Sequence, residues 1–93
     1  MNKITKVEPV FVETIDEELE EGKLYISEKY QVAIHLCACG CKQKAVTPLG
    51  KDGWVLTKYN DKISLSPSIG NFKWEDPYHA HYFIIQNEVK FVK

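Results

Sequence analysis

The chain has 93 residues, a length that corresponds to one domain with one hydrophobic core. Its composition, 44% hydrophobic and 27% charged residues, excludes a disordered or fibrous protein. The net charge is −1 and all twelve basic residues are lysines, which disfavours nucleic-acid binding because arginine is the usual bidentate reader of guanine and phosphate. No apolar run is long enough to span a membrane and the N-terminus lacks a secretion signal, so we expect a cytoplasmic protein without membrane contacts.

Short runs of strand-forming residues, separated by turn residues, occupy the first half of the chain. Residues 1–13 alternate loosely and predict a first strand at a sheet edge, because Pro9 lacks an amide proton. The acidic residues 16–21 predict a turn or a single helical turn. Three further strands are then predicted at residues 23–27, 30–36 and 44–49.

The second half of the chain predicts two hairpins separated by a long loop. Strands at residues 53–59 and 62–66 form the first hairpin, and strands at 81–86 and 89–92 form the second. Residues 67–77 are rich in turn residues and predict the loop. The chain is therefore expected to form a small, mainly β domain of about seven strands, either a curved sheet or a partly open barrel.

All three cysteines lie within five residues, as Cys37, Cys39 and Cys41. Thiolates are preferred ligands of Zn²⁺. In a straight strand these alternate sulfurs would lie roughly 6–7 Å apart, too far for one ion, but a turn at Gly40 brings them together because glycine tolerates positive φ. We therefore expect residues 1–93 to form a single β domain that one zinc ion stabilises.

The histidines are candidates for the rest of this metal site. His79 and His81 precede an apolar run and would share one face of a strand. We expect His81 to be the additional zinc ligand, with His79 in reserve. His35 lies two residues before Cys37 and stays open as a ligand, a group that supports a ligand, or a general base.

A second candidate site lies at Ser66–Gly70, where a serine is flanked by proline and glycine ahead of a histidine. A serine next to a base is the arrangement used in nucleophilic catalysis, so Ser68 with His81 or His35 is a candidate pair. The alternative is a turn whose hydroxyl groups bind backbone groups. The candidate catalytic residues are Ser68 and His35, and Asp76 would either orient a histidine or begin a turn.

Three blocks of the sequence resemble a family of small bacterial proteins whose function is unknown. The blocks are His35-Leu36-Cys37-Ala38-Cys39-Gly40-Cys41, Ser64-Leu65-Ser66-Pro67-Ser68-Ile69-Gly70 and His81-Tyr82-Phe83, and the resemblance covers residues 22–92. Some members are encoded beside ubiquitin-like proteins and E1- and E2-like enzymes, and they are regarded as candidate peptidases. Members carry a cysteine three residues before the final histidine, where this chain has Tyr78.

Two functions follow as hypotheses. Thiolate-rich zinc sites are usually structural, which favours a zinc-stabilised module that binds another protein. The resemblance implies a ubiquitin-like protein as the partner. The alternative is a hydrolase that processes ubiquitin-like proteins, either through zinc-activated water or through Ser68.

Overall fold

The computed structural model describes residues 3–16, 18–71 and 80–92, which form β-strands and no helix. Accordingly, none of these segments is a helix with the length and hydrophobicity of a membrane span. The predicted mainly β class is confirmed. The strands in chain order are β1 (Glu8–Phe11), β2 (Lys23–Ser27), β3 (Val32–Leu36), β4 (Lys44–Pro48), β5 (Val55–Tyr59), β6 (Lys62–Asn71), β7 (Ala80–Ile85) and β8 (Glu88–Phe91).

The strands form two four-stranded sheets, in the orders β1-β2-β3-β4 and β5-β6-β7-β8. Strand β1 runs parallel to β2, and every other neighbouring pair is antiparallel. Both predicted hairpins are present, as β5–β6 and β7–β8. The β7–β8 turn places Gln86 and Asn87 at φ values of 46° and 68°, as a two-residue turn between twisted strands requires.

Single bridges connect the two sheets at both of their outer edges. Leu49, after β4, bridges to Trp54 ahead of β5, and Lys6 bridges to Glu88 at the start of β8. The strands therefore follow one another around a nearly complete ring, but only isolated residue pairs close it. This arrangement agrees with the partly open barrel predicted from the sequence.

The core consists of alternate side chains from both sheets, which form one buried cluster. Leu24 and Ile26 of β2 pack in this cluster with Leu65 of β6 and Ile84 of β7, and each is at most 2% exposed. Successive side chains of a strand point to opposite faces, so the intervening residues of β7 face outward. Phe83 is one of these outward residues and is 40% exposed.

Strand β6 extends further than the sequence predicts. Residues 67–71 are expected in a loop, but the strand continues through them to Asn71. The position of Ile69 explains the difference. Its side chain is buried and the residue pairs with Tyr82 of β7, so this segment is part of the sheet. The loop prediction is wrong for residues 67–71, and the remainder of that loop, 72–77, lies outside the described residues.

Candidate active site and metal centre

Ser68 and His81 form a hydrogen-bonded pair on the outward face of the second sheet. The Ser68 Oγ atom lies 2.7 Å from His81 Nε2. Ser68 belongs to β6 and His81 to the neighbouring strand β7, and both side chains are half-buried. The pair is therefore held by the sheet itself and remains open to solvent.

A local irregularity in the β6–β7 pairing brings the serine to the histidine. Leu65 pairs with Ile84 and Ile69 pairs with Tyr82, so three residues of β6 lie opposite a single residue of β7. Ser68 is the last of these three residues. Bulges of this kind alter the direction of a side chain and are frequent beside active sites.

The contact between Ser68 and His81 has the geometry that a nucleophile and its base require. A distance of 2.7 Å lies within the 2.6–3.2 Å expected of such pairs. When Nε2 carries no proton, it accepts a hydrogen bond from the serine hydroxyl and is positioned to take that proton. This geometry is compatible with nucleophilic attack on an accessible carbonyl group.

Two neighbours define the surroundings of the His81 imidazole. The ring of Phe83 stacks against it, with 6.4 Å between ring centroids and an interplanar angle of 28°. Gly70 lies directly opposite His81 in the adjacent strand and adds no side chain to this face. One side of the imidazole is therefore supported by an aromatic ring, and the residue opposite it in β6 has no side chain.

The three cysteines converge immediately after β3. Cys37, Cys39 and Cys41 place their sulfur atoms within 4.8 Å of one another. Gly40 adopts a φ of 94° between the last two cysteines, and Lys42 adopts a φ of 67° directly after them. The predicted turn at Gly40 is therefore confirmed, and it is what brings the alternate sulfurs together.

The three sulfur atoms lie close enough together to hold one metal ion. A tetrahedral ion with Zn–S bonds of about 2.3 Å separates its sulfur ligands by about 3.8 Å. The Cys37 and Cys39 sulfurs are 3.4 Å apart, close to that spacing. Among the described residues the ligand group comprises the three cysteines alone, and both His79 and Tyr78 lie outside those residues.

The protonation of the cluster also bears on metal binding. Burial, together with hydrogen bonds to the Cys41 and Cys37 thiols, raises the pKa of Cys39 to about 12. A metal ion has the opposite effect, because its charge favours the thiolate. Metal binding to this cluster is therefore expected to release protons and to weaken as the pH falls.

His35 occupies a different environment from His81. Its Nε2 atom lies 2.6 Å from the Tyr82 hydroxyl oxygen, and its buried Nδ1 atom has no hydrogen-bond partner among the described residues. The side chain is 1% exposed, and this burial lowers the pKa of His35 to about 4. The imidazole is therefore neutral at pH 7 and joins β3 to β7 inside the core.

Tyr82 connects the cysteine segment with the strand that carries His81. Besides contacting His35, its hydroxyl oxygen lies 3.4 Å from the backbone N–H of Ala38, which is between the first two cysteines. The sequence suggests only that Tyr82 is a core residue. A buried tyrosine hydroxyl needs a hydrogen-bond partner, but which partner it finds depends on how the two sheets pack.

The structure brings some of the predicted residues together and separates others. Ser68 is hydrogen-bonded to His81, which the sequence analysis predicts to be a metal ligand. His35 is instead hydrogen-bonded to Tyr82 in the core. The three predicted cysteine ligands form one cluster. Asp76 belongs to the part of the chain that the structure does not describe.

Comparison with known proteins identifies one family. Residues 11–92 match the sequence model of a family described as bacterial ubiquitination-like system serine protease, BubE. Neither the curated proteins nor the solved structures yield a match. The match covers most of the chain and agrees with the predicted link to ubiquitin-like conjugation. The chain therefore belongs to the BubE family.

Proposed function

We propose that the protein is a serine peptidase in which Ser68 is the nucleophile and His81 the general base. The observation that carries this proposal is the 2.7 Å contact between Ser68 Oγ and His81 Nε2 on an accessible sheet face. The family description, a serine protease, supports it independently. These observations favour the hydrolase over the protein-binding module.

The two side chains account for the proton transfers of peptide hydrolysis. His81 takes the hydroxyl proton as Ser68 Oγ bonds to the substrate carbonyl carbon. The protonated imidazole then gives this proton to the amine as the C–N bond breaks, leaving an acyl ester on Ser68. Water, deprotonated by His81, attacks that ester, and the proton returns to Ser68 as the acid is released.

The proposed substrate is a ubiquitin-like protein, either as a precursor with a C-terminal extension or as a conjugate. The family description places its members in a bacterial ubiquitination-like system. A precursor with a C-terminal extension and a modifier joined to a lysine amine both contain an amide bond at the end of the modifier. An amide bond is what the Ser68–His81 chemistry cleaves. The protein partner predicted from the sequence would then be a substrate.

We also propose that the cysteine cluster binds one structural zinc ion. Three thiolates make a zinc ion a weaker Lewis acid and are typical of structural sites. The ion would hold the segment around Gly40 closed and thereby stabilise the end of β3. The cysteine cluster contributes no group to the proposed reaction, which uses only the hydroxyl and the imidazole.

A pair of serine variants tests the nucleophile. Ser68→Ala should lower kcat/KM for cleavage of an extended ubiquitin-like precursor by about a thousandfold or more. Ser66→Ala is the matched control, since Ser66 is exposed on the same strand, and it should stay within about twofold of wild type.

Covalent labelling gives a readout that does not depend on the substrate. A fluorophosphonate probe should label the wild type and Ser66→Ala but not Ser68→Ala, with mass spectrometry locating the adduct. Cleavage that persists in folded Ser68→Ala protein would exclude Ser68 as the nucleophile.

A further inference from the structure

The strand that carries Ser68 is longer than one of its neighbours. Strand β6 runs from Lys62 to Asn71, but β5 pairs only with its first half, from Lys62 to Ser66. On the side away from β7, none of the described strands pairs with residues 67–71. We call this side of residues 67–71 the open edge, and Ser68 lies within it.

The hydrogen-bonding direction of Gly70 follows from its position opposite His81. The His81 carbonyl oxygen accepts a hydrogen bond of 2.8 Å from the Val92 N–H, so the backbone groups of His81 point towards β8. In an antiparallel pair of strands, two residues directly opposite each other either exchange backbone hydrogen bonds or both direct their N–H and C=O groups away from each other. The N–H and C=O groups of Gly70 therefore point to the open edge.

The composition of the open edge suits the approach of another backbone. Exposed strand edges are usually protected by charged residues or proline. Residues 67–71 include no charged residue, and their one proline, Pro67, precedes Ser68, so every residue from Ser68 to Asn71 keeps its backbone N–H. Gly70 is exposed inside a strand, and a glycine in this position often marks a place where a ligand or a second chain comes close.

We propose that the substrate binds as an extended strand along the open edge, which delivers its scissile carbonyl group to Ser68. This inference rests on the proposed peptidase function and specifies the substrate further. The bound region must be a flexible tail of the substrate protein, because a segment within a folded domain already uses its backbone groups internally. Recognition therefore depends on the backbone of that tail as well as on its side chains.

Backbone recognition predicts a pattern with a period of two. Every second residue of a bound strand directs its N–H and C=O groups to the partner, and the residues between direct theirs away. Each backbone hydrogen bond contributes about 1 kcal/mol, so losing one lowers kcat/KM about fivefold.

N-methylation of the substrate tests this pattern without altering the enzyme. Peptides that span the cleavage site of an extended ubiquitin-like precursor are prepared with one N-methyl group at each amide in turn, except the scissile one. We expect kcat/KM to fall at alternate positions by about fivefold or more and to change little at the positions between, which serve as matched controls. A loss that is equal at all positions, or no loss, would overturn the inference.

An enzyme variant gives a second readout. Gly70→Pro removes the N–H that faces the open edge without removing a hydrogen bond to β7. The ratio of peptide hydrolysis to hydrolysis of p-nitrophenyl acetate, which is too small to form a strand, should fall about fivefold or more. An unchanged ratio would contradict edge binding while leaving the peptidase proposal intact. If the wild type neither cleaves peptide nor is labelled at Ser68, the peptidase proposal fails and the inference fails with it.

Discussion

Two histidines of this protein make hydrogen bonds of nearly equal length to a hydroxyl group, in opposite surroundings. His35 Nε2 lies 2.6 Å from the Tyr82 hydroxyl inside the core, and His81 Nε2 lies 2.7 Å from the Ser68 hydroxyl on the outward face. Burial lowers the pKa of the first and excludes substrate from it. Contact geometry is therefore insufficient to identify a catalytic histidine, because solvent access and the nature of the hydroxyl group decide its role.

One strand contributes to both pairs. His81 and Tyr82 are consecutive residues of β7, and consecutive side chains of a strand point to opposite faces. The outward face of β7 thus carries the base of the proposed reaction, while its inward face carries the hydroxyl that joins the two sheets. The following predictions test this division.

The largest effect is expected from removing the proposed catalytic pair, Ser68 and His81. His81→Ala should lower kcat/KM about a thousandfold or more, and the double variant with Ser68→Ala should lose little further activity, because the two side chains act in one step. Steady-state assays of the two single variants and the double variant measure this. Losses that multiply in the double variant would indicate that the two residues act independently.

Metal removal should affect stability rather than the reacting groups. Protein purified without chelator should contain about one zinc ion per chain, and Cys37→Ser should lower the free energy of unfolding by several kcal/mol, or the melting temperature by more than about 10 °C. Metal analysis and thermal unfolding measure these quantities, and the drop should be the same in a Ser68→Ala background. A folded, zinc-free protein that melts normally would contradict the structural zinc site.

Breaking the buried pair should have an intermediate effect. Tyr82→Phe leaves the His35 imidazole without its hydrogen bond in the core, which should cost about 1–3 kcal/mol of the free energy of unfolding. Chemical denaturation of the variant gives this value. A double variant, Tyr82→Phe with His35→Leu, should recover part of the loss because the core then no longer contains an imidazole nitrogen that has lost its partner. No recovery would mean that the packing of the ring, rather than its hydroxyl, dominates.

An exposed contact between the turn after β2 and strand β5 should matter least. Lys58 Nζ lies 2.6 Å from a Glu28 carboxylate oxygen, but the two side chains are 50% and 60% exposed. Lys58→Ala should therefore change the free energy of unfolding by less than about 1 kcal/mol and leave peptide hydrolysis unaltered. A larger loss in denaturation would show that this surface pair contributes to holding the sheets together.

Local features were predictable from the sequence, and long-range pairings were not. The hairpins and the cysteine turn depend on neighbouring residues, so turn chemistry and the position of Gly40 were sufficient. Which hydroxyl group each histidine contacts depends on how the strands pair. That pairing joins residues far apart in the sequence, such as His35 and Tyr82, which are 47 residues apart. Both histidines are candidate bases in the sequence, and only the register of β6 and β7 brings Ser68 to His81.

The irregular stretch of β6 also constrains changes in chain length. It contains two more residues than the opposing stretch of β7, since Leu65 and Ile69 are four positions apart while their partners are two apart. In a regular strand Pro67 would face the core between Leu65 and Ile69, but Pro67 is exposed, so the alternation of faces is interrupted here while Leu65 and Ile69 both stay buried. The extra residues therefore lie on the outside of the sheet, where Ser68 contacts His81. This stretch can change in length only if Ile69 stays buried opposite Tyr82 and Ser68 stays beside His81.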